Sequence, residues 1–207
     1  MWYTYGMTLQ PPTVVAITSS KGGVGKSTLA VNLAGALAVR GQTALIDADA
    51  IVGTARRWAT RVGGIEVLEE GARPSAGTRY ILLDTEGRPA LADMVGLSQR
   101  AGVVLIPTGV SGVELETTLS LWGALQRDGA QMDNVRVVVT RVPPVGRGGE
   151  QVREELRSRG LNVAQTMIRQ YIAYQRAHDA GVLVRDAADE RAATAWGDVL
   201  SLALEVA

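Results

Sequence analysis

Residues 20–27 read Ser20-Lys21-Gly22-Gly23-Val24-Gly25-Lys26-Ser27. Just upstream, Thr13–Thr18 (TVVAIT) is a β-branched run that reads as a buried strand. Just downstream, Thr28–Arg40 (TLAVNLAGALAVR) places apolar residues at helical spacing, and Gly41 stops it. A glycine-rich turn between strand and helix lets successive backbone N–H groups curl around a phosphate, and the helix N-terminus adds partial positive charge. The stretch departs from G-x-x-x-x-G-K-[ST] only at its first position, where Ser20 replaces glycine. In that pattern Lys26 reaches the β- and γ-phosphates and the Ser27 hydroxyl binds Mg²⁺. Lys21, Gly22, Gly23, Val24, Gly25, Lys26, Ser27 and Thr28 are therefore the candidate nucleotide-binding loop.

The cation inventory points to the same place. The chain has 19 arginines and two lysines, and both lysines, Lys21 and Lys26, fall in this loop. A compact ammonium on a flexible stem is kept where phosphates are expected, and arginine serves elsewhere. The formal net charge is zero, so any nucleic-acid binding must come from a local patch or one assembled in an oligomer. With no cysteine, disulfides, thiolate metal sites, iron–sulfur clusters and a Cys nucleophile are excluded. One histidine, His178, argues against a multi-histidine metal site or a Ser-His-Asp triad and reads as a surface or helix-end residue. A start lacking a basic region followed by an apolar one gives no signal peptide, and apolar runs such as Val103–Pro107 are too short to span a bilayer.

At 207 residues the expectation is one domain, 13–207, behind a loose N-terminal extension, 1–12, that ends in Pro11-Pro12. Further strands are expected at Thr43–Ile46, Ile65–Leu68, Tyr80–Leu83, Gly102–Ile106 (capped by Pro107), Val135–Thr140 and Leu161–Gln165. Helices are expected at Val52–Arg61, Leu91–Gln99, Val113–Arg127, Gln151–Ser158, Tyr171–His178 and Asp186–Val206. Wholly apolar strands alternating with helices imply a three-layer α/β domain with a mainly parallel sheet flanked by helices. The loops Gly71–Gly77 and Pro143–Gly149 read as mobile. Trp58, Trp122 and Trp196 read as packing residues.

Ligands of parallel sheets sit at the carboxyl ends of the strands. Asp47 and Asp49 follow the second expected strand and Asp84 follows the fourth, so all three should converge on the loop. Mg²⁺ in such sites is held by one Ser/Thr hydroxyl and water-mediated carboxylates, a role open to Ser27 and these three aspartates.

With its extra lysine, K-G-G-x-G-K-[ST], the loop resembles the deviant phosphate loop of ParA/MinD ATPases, which share the P-loop NTPase fold. The likeness runs from Thr13 to Val206 and is strongest to the small, single-domain ParF-like partition ATPases. It implies that Lys21 reaches across a nucleotide-sandwich dimer to the partner's ATP, that Asp84 is the Walker B aspartate, and that Asp47 and Asp49 support Mg²⁺ and position the attacking water. Lys21, Lys26, Asp47 and Asp49 are thereby the candidate catalytic residues, and the resemblance implies Ser27, Asp47 and Asp84 as the metal set. Ala50-Ile51 stand where relatives often have Pro-Gln, and Glu86 stands after the Walker B Asp-Thr pair, reading as an exposed loop residue. Thr140-Arg141 resembles the strand end bordering the adenine. Met167-Ile168-Arg169-Gln170, with Tyr174 and Gly181, resembles the segment ahead of the last helix, bringing Arg169 into the nucleotide set.

The resemblance implies a Mg²⁺-dependent ATPase using ATP and ADP as ligands. It implies a homodimer with ATP (a higher polymer remaining open), non-specific DNA binding, and stimulation by a ParB-like or other small adaptor. The expected role is plasmid or chromosome partition by a cytoplasmic, nucleoid-associated protein. Candidate DNA contacts are Arg153, Arg157, Arg169, Arg176 and Arg191. The alternative is a cargo-positioning or cell-division regulator acting on a protein or membrane surface. An acidic last helix with Arg191 as its sole cation disfavours a membrane anchor, and its stripe of Trp196, Val199, Leu200, Ala203 and Val206 reads as core packing.

Overall fold

The computed structural model describes residues 11–49 and 51–207. The expectation for the extension at 1–12 therefore lies outside the described residues except for its two prolines. Six strands form one parallel sheet in the order β3-β2-β4-β1-β5-β6. They are β1 (Thr13–Ile17), β2 (Thr43–Asp47), β3 (Glu66–Leu68), β4 (Tyr80–Asp84), β5 (Val103–Thr108) and β6 (Val135–Val139). The helices are α1 (Lys26–Ala38), α2 (Thr54–Val62), α3 (Leu91–Arg100), α4 (Gly112–Arg127), α5 (Gly148–Ser158), α6 (Ile172–Ala180) and α7 (Ala192–Val206).

The strand period of two divides the core. Val15 and Ile17 of β1 point to one face, where Leu33 and Leu37 of α1 and Val199 and Leu202 of α7 pack with α2 and α6. Ala16 points to the other, against Met94 of α3, Leu121 and Trp122 of α4, and Leu156 of α5. Both faces are covered, which is why these strands are apolar at nearly every position. Trp58 is buried and its indole N–H donates to the Val182 carbonyl at 2.9 Å; Trp122 is also buried. His178 sits in the last turn of α6, edge-on to Trp58, as an exposed helix-end residue.

Four expectations need correction. Pro107 does not end its strand; it lies inside β5 opposite Val138. Thr18 N–H donates to the Leu105 carbonyl, so odd-numbered β5 residues aim their peptide groups at β1. The β1 ladder ends at Leu105, so at residue 107 no ladder N–H is required and proline fits. Leu161–Gln165 is no strand. Val163 makes one parallel bridge to Val137, after which the Gln165 and Thr166 amides donate instead to the Glu205 carboxylate at 2.9 and 2.7 Å. The last helix starts at Ala192, after a short 3-10 turn at Val184–Asp186. There the Asp189 carboxylate accepts the Arg191 N–H at 2.8 Å, closing a turn ahead of the helix. Leu200 does not belong to the inward stripe, being 37% exposed, whereas Leu202 is fully buried.

The loop 71–77 is tied to the sheet. Ser75 donates through its N–H and hydroxyl to the Glu66 carboxylate, the hydroxyl at 2.6 Å, and Thr78 adds a further bond. These bonds hold Glu66 below its ordinary pKa.

Candidate functional site

The site forms where β1, β2 and β4 end. The loop between β1 and α1 turns through Gly23 (φ 75°) and Gly25 (φ 90°), left-handed backbone that glycine adopts without a Cβ penalty. A Cβ built on Gly22, Gly23 or Gly25 would meet nothing within 4 Å. The glycines thus leave open space above the loop, on the side where α1 begins and its unpaired N–H groups point. That is the room a chain of phosphates needs.

Lys26, the first residue of α1, is buried at 7% exposure. Its ammonium donates to the Ser19 hydroxyl at 3.4 Å, and Ser19 in turn donates to the Lys21 carbonyl at 2.6 Å. Burial pulls the Lys26 pKa below its ordinary value, and the nearby Asp84 and Asp49 carboxylates partly offset this. Asp84, at the end of β4, is 2% exposed, and its Oδ1 has no hydrogen-bond partner. Burial raises its carboxyl from 3.8 to about 7, opposed mainly by Ser27 as hydrogen-bonding neighbour and reinforced by the negative charge of Asp47.

A buried carboxylate oxygen without a partner, beside a Ser27 hydroxyl, is a hard oxygen pair suited to Mg²⁺. Among the described residues no three acidic or imidazole side chains cluster closely enough to hold a cation by themselves. A cation here would need phosphate oxygens to complete its shell, as Mg²⁺ in nucleotide sites ordinarily does. The residues present therefore fit a magnesium nucleotide.

Other expected residues are placed differently. Both Asp47 oxygens are already engaged, Oδ1 by the Asp49 N–H and Oδ2 by the Arg56 N–H, each at 3.0 Å. These bonds orient Asp47 at the turn into α2, and each of its oxygens keeps a further lone pair. Asp49 uses Oδ1 on the Val52 N–H at 2.8 Å and stands close enough to Lys26 to act on its charge. Lys21 turns away from the cradle and donates to the Val113 carbonyl in the first turn of α4 at 3.3 Å. Glu86 is exposed.

A cavity of about 260 Å³ opens beside the loop, lined by Gly23–Gly25, Thr28, Thr140, Arg141, Arg169 and Tyr171 among others. Its size and mainly apolar lining suit a nucleobase. Thr140 ties this wall to the loop, its hydroxyl lying 3.1 Å from both the Val24 and Thr108 carbonyls. Arg169 is clamped by Asp198 of α7, with Nε at 3.0 Å from Oδ2, and lies 5.6 Å from the Tyr171 ring centre. Sequence reading missed Asp198, Tyr171, Ser19 and Glu114. The S-x-x-E spacing of Ser111 and Glu114 carries a readable helix cap; the 29-residue gap between Arg169 and Asp198 carries no local signal.

Four of the five arginines expected at DNA hold internal partners. Arg153 donates to the Gln165 carbonyl at 2.7 Å and Arg157 to the Val163 carbonyl at 3.1 Å. Arg169 pairs with Asp198, and Arg176 with the buried Asp189 carboxylate at 3.0 Å. Arg191 alone of the five has no carboxylate paired with its guanidinium among the described residues.

Comparisons with known proteins agree with this geometry. Residues 15–184 match the CobQ/CobB/MinD/ParA nucleotide binding domain. A maintenance of carboxysome distribution protein A from Gloeobacter kilaueensis is 31% identical, over 94% of each chain. Among solved structures, MinD from Aquifex aeolicus superposes with a TM-score of 0.71 at 21% identity, covering 93% of this chain and 95% of that one. Apo McdA from Cyanothece gives 0.68 at 17%, over 94% and 100%. A plasmid partition protein of Borrelia burgdorferi bound to AMPPNP gives 0.69 at 18%, over 94% and 99%. With its two-lysine loop, open phosphate cradle and buried strand-end aspartate, the chain belongs to the CobQ/CobB/MinD/ParA family of P-loop nucleotide-binding domains.

Proposed function

We propose that the chain is an ATPase that distributes a protein assembly within the cell, switching its contacts between the ATP and ADP states. The observation that carries this reading is the 31% identity, spanning 94% of both chains, to a protein named for carboxysome distribution. In this reading the loop amides and Lys26 bind the phosphates, and the open space over Gly22, Gly23 and Gly25 admits them. Ser27 and Asp84 would hold Mg²⁺, which supplies charge neutralisation at the transferred phosphoryl group when bound. Asp49, whose Oδ2 accepts no hydrogen bond among the described residues, is the group available to orient a water. Among the described residues no strong general base stands beside the cradle, so turnover alone is slow and a partner protein accelerates it. Lys21 must leave Val113 to reach a second copy's nucleotide, so dimer formation and its release from α4 go together.

The partition reading is the second candidate, and the engaged arginines weigh against a ready-made DNA surface on the single chain. The test is to image a fluorescent fusion in the source cell and to count plasmid retention after deleting the gene. The proposal expects a protein assembly to lose its even spacing while plasmid retention is unchanged, and Lys26→Ala to behave as the deletion. Plasmid loss with no misplaced assembly would transfer the function to partition. A Lys26→Ala strain indistinguishable from wild type would remove nucleotide switching altogether.

A further inference from the structure

Arg141 is the one non-glycine residue with left-handed backbone among the described residues, at φ 53°. Such a conformation is strained for a residue with a Cβ and persists where the surroundings over-determine it. It lines the base-sized cavity, directly after the Thr140 that fastens this wall to the phosphate loop. Its guanidinium pairs with Glu114, while its Nε is buried without a partner.

Glu114 is itself held in place. It accepts the Ser111 hydroxyl at 2.7 Å and the Ser111 N–H at 3.4 Å, completing a capping box at the start of α4. Gly109 leaves the space for it: a Cβ there would collide with the Glu114 carboxylate. The same helical turn offers the Val113 carbonyl to Lys21. Glu114 thus stands between the cavity wall and the turn that holds the loop lysine.

We propose that Glu114 is a positioning residue for the nucleobase: by pinning Arg141 in its strained conformation, it fixes the arginine as one wall of the base site. The inference rests on the nucleotide reading above. A guanidinium tied at one edge by a carboxylate keeps its flat face for a base to stack on. The left-handed turn is then explained as the geometry that carries the guanidinium from the cavity wall to Glu114.

The test separates base recognition from phosphate binding and from the helix cap. Wild type, Glu114→Gln, Arg141→Gly and Ser111→Ala are titrated by calorimetry with MgATP, and with inorganic tripolyphosphate in competition. Glu114→Gln and Arg141→Gly are expected to weaken ATP about tenfold, the scale of one good stacking contact, while tripolyphosphate affinity holds. Ser111→Ala, which removes the cap hydroxyl and leaves the ion pair, should weaken ATP less than Glu114→Gln does and leave tripolyphosphate unchanged. Arg141→Gly also relieves the left-handed backbone, so it carries the test where Glu114→Gln fails to fold. Equal loss for ATP and tripolyphosphate, a Ser111→Ala loss matching that of Glu114→Gln, or unchanged ATP affinity in both site variants overturns the proposal. Wild type that binds neither ligand defeats the nucleotide reading and this inference with it; wild type that binds ATP beside unaltered variants defeats this inference alone.

Discussion

Replacing Asp84 by asparagine should stabilise the nucleotide-free protein, and the gain should grow with pH. The carboxyl sits at 2% exposure with one oxygen unpartnered, and burial raises it from 3.8 to about 7. The folded protein therefore keeps this proton up to about pH 7, while the unfolded chain releases it near 3.8. Folding takes up a proton across that window, so stability falls as pH rises through it. At about 1.36 kcal/mol per pKa unit the full effect is about 4 kcal/mol. The amide that the substitution introduces cannot ionise, yet it keeps an acceptor for Ser27. Asp84→Asn should match wild type near pH 4 and exceed it by up to about 4 kcal/mol near pH 8, or on the order of 10 °C in Tm for a chain of this size. Urea unfolding of both proteins, nucleotide removed, at several pH values between these limits measures the gap directly. A gap that is constant with pH, or an asparagine variant less stable at pH 8, would refute the claim that an uncompensated buried charge sits at this strand end. Wild type with MgATP should recover the lost stability and the variant should not.

Lys26→Ala should lose detectable ATP binding by calorimetry, because the buried ammonium is the cradle's own cation; wild-type affinity would contradict its role. Asp49→Ala should bind ATP normally but turn it over about tenfold more slowly in a phosphate-release assay, within the range that positioning the reacting water can supply, and an unchanged rate would free Asp49 of any part in placing water. Lys21→Ala should bind ADP as a monomer yet fail to dimerise with ATP in ultracentrifugation, since the lysine touches α4 and not its own cradle. Gly35→Ala should cost about 1–3 kcal/mol in chemical denaturation, because its Cβ would collide with the Leu183 side chain in the packed face between α1 and the 3-10 turn; a neutral result would mean Leu183 moves freely.

What the sequence showed in advance depended on how local each signal was. The strand–loop–helix around Gly22, Gly23 and Gly25 was legible because backbone freedom, β-branching and helical spacing all act between neighbours along the chain. Asp84 was legible because a parallel sheet sends the ends of its strands to one edge. The ion pairs were not. Arg169 finds Asp198 and Arg141 finds Glu114 only after the sheet has closed, and nothing in the neighbourhood of either arginine announces its partner. At Asp47 the D-x-D spacing pointed to a cation but gave no sign that each oxygen also accepts a backbone N–H, from Asp49 and Arg56. Pro107 misled for the opposite reason, since a rule about single strands ignores where the neighbouring strand stops.

One margin of the sheet is short and the other is bridged. At β3 only three residues pair, and the chain after it folds back onto Glu66 through Ser75 and Thr78. At β6 the segment around Val163 and Arg169 bridges to Val137 and Val142. Among the described residues a second copy therefore finds at most a three-residue edge, at β3, on which to lay another strand. So short an edge favours a filament that grows through side chains on helices and loops, contacts that a bound nucleotide can make and unmake, over a continuous ribbon of backbone bonds that would be slow to dissolve.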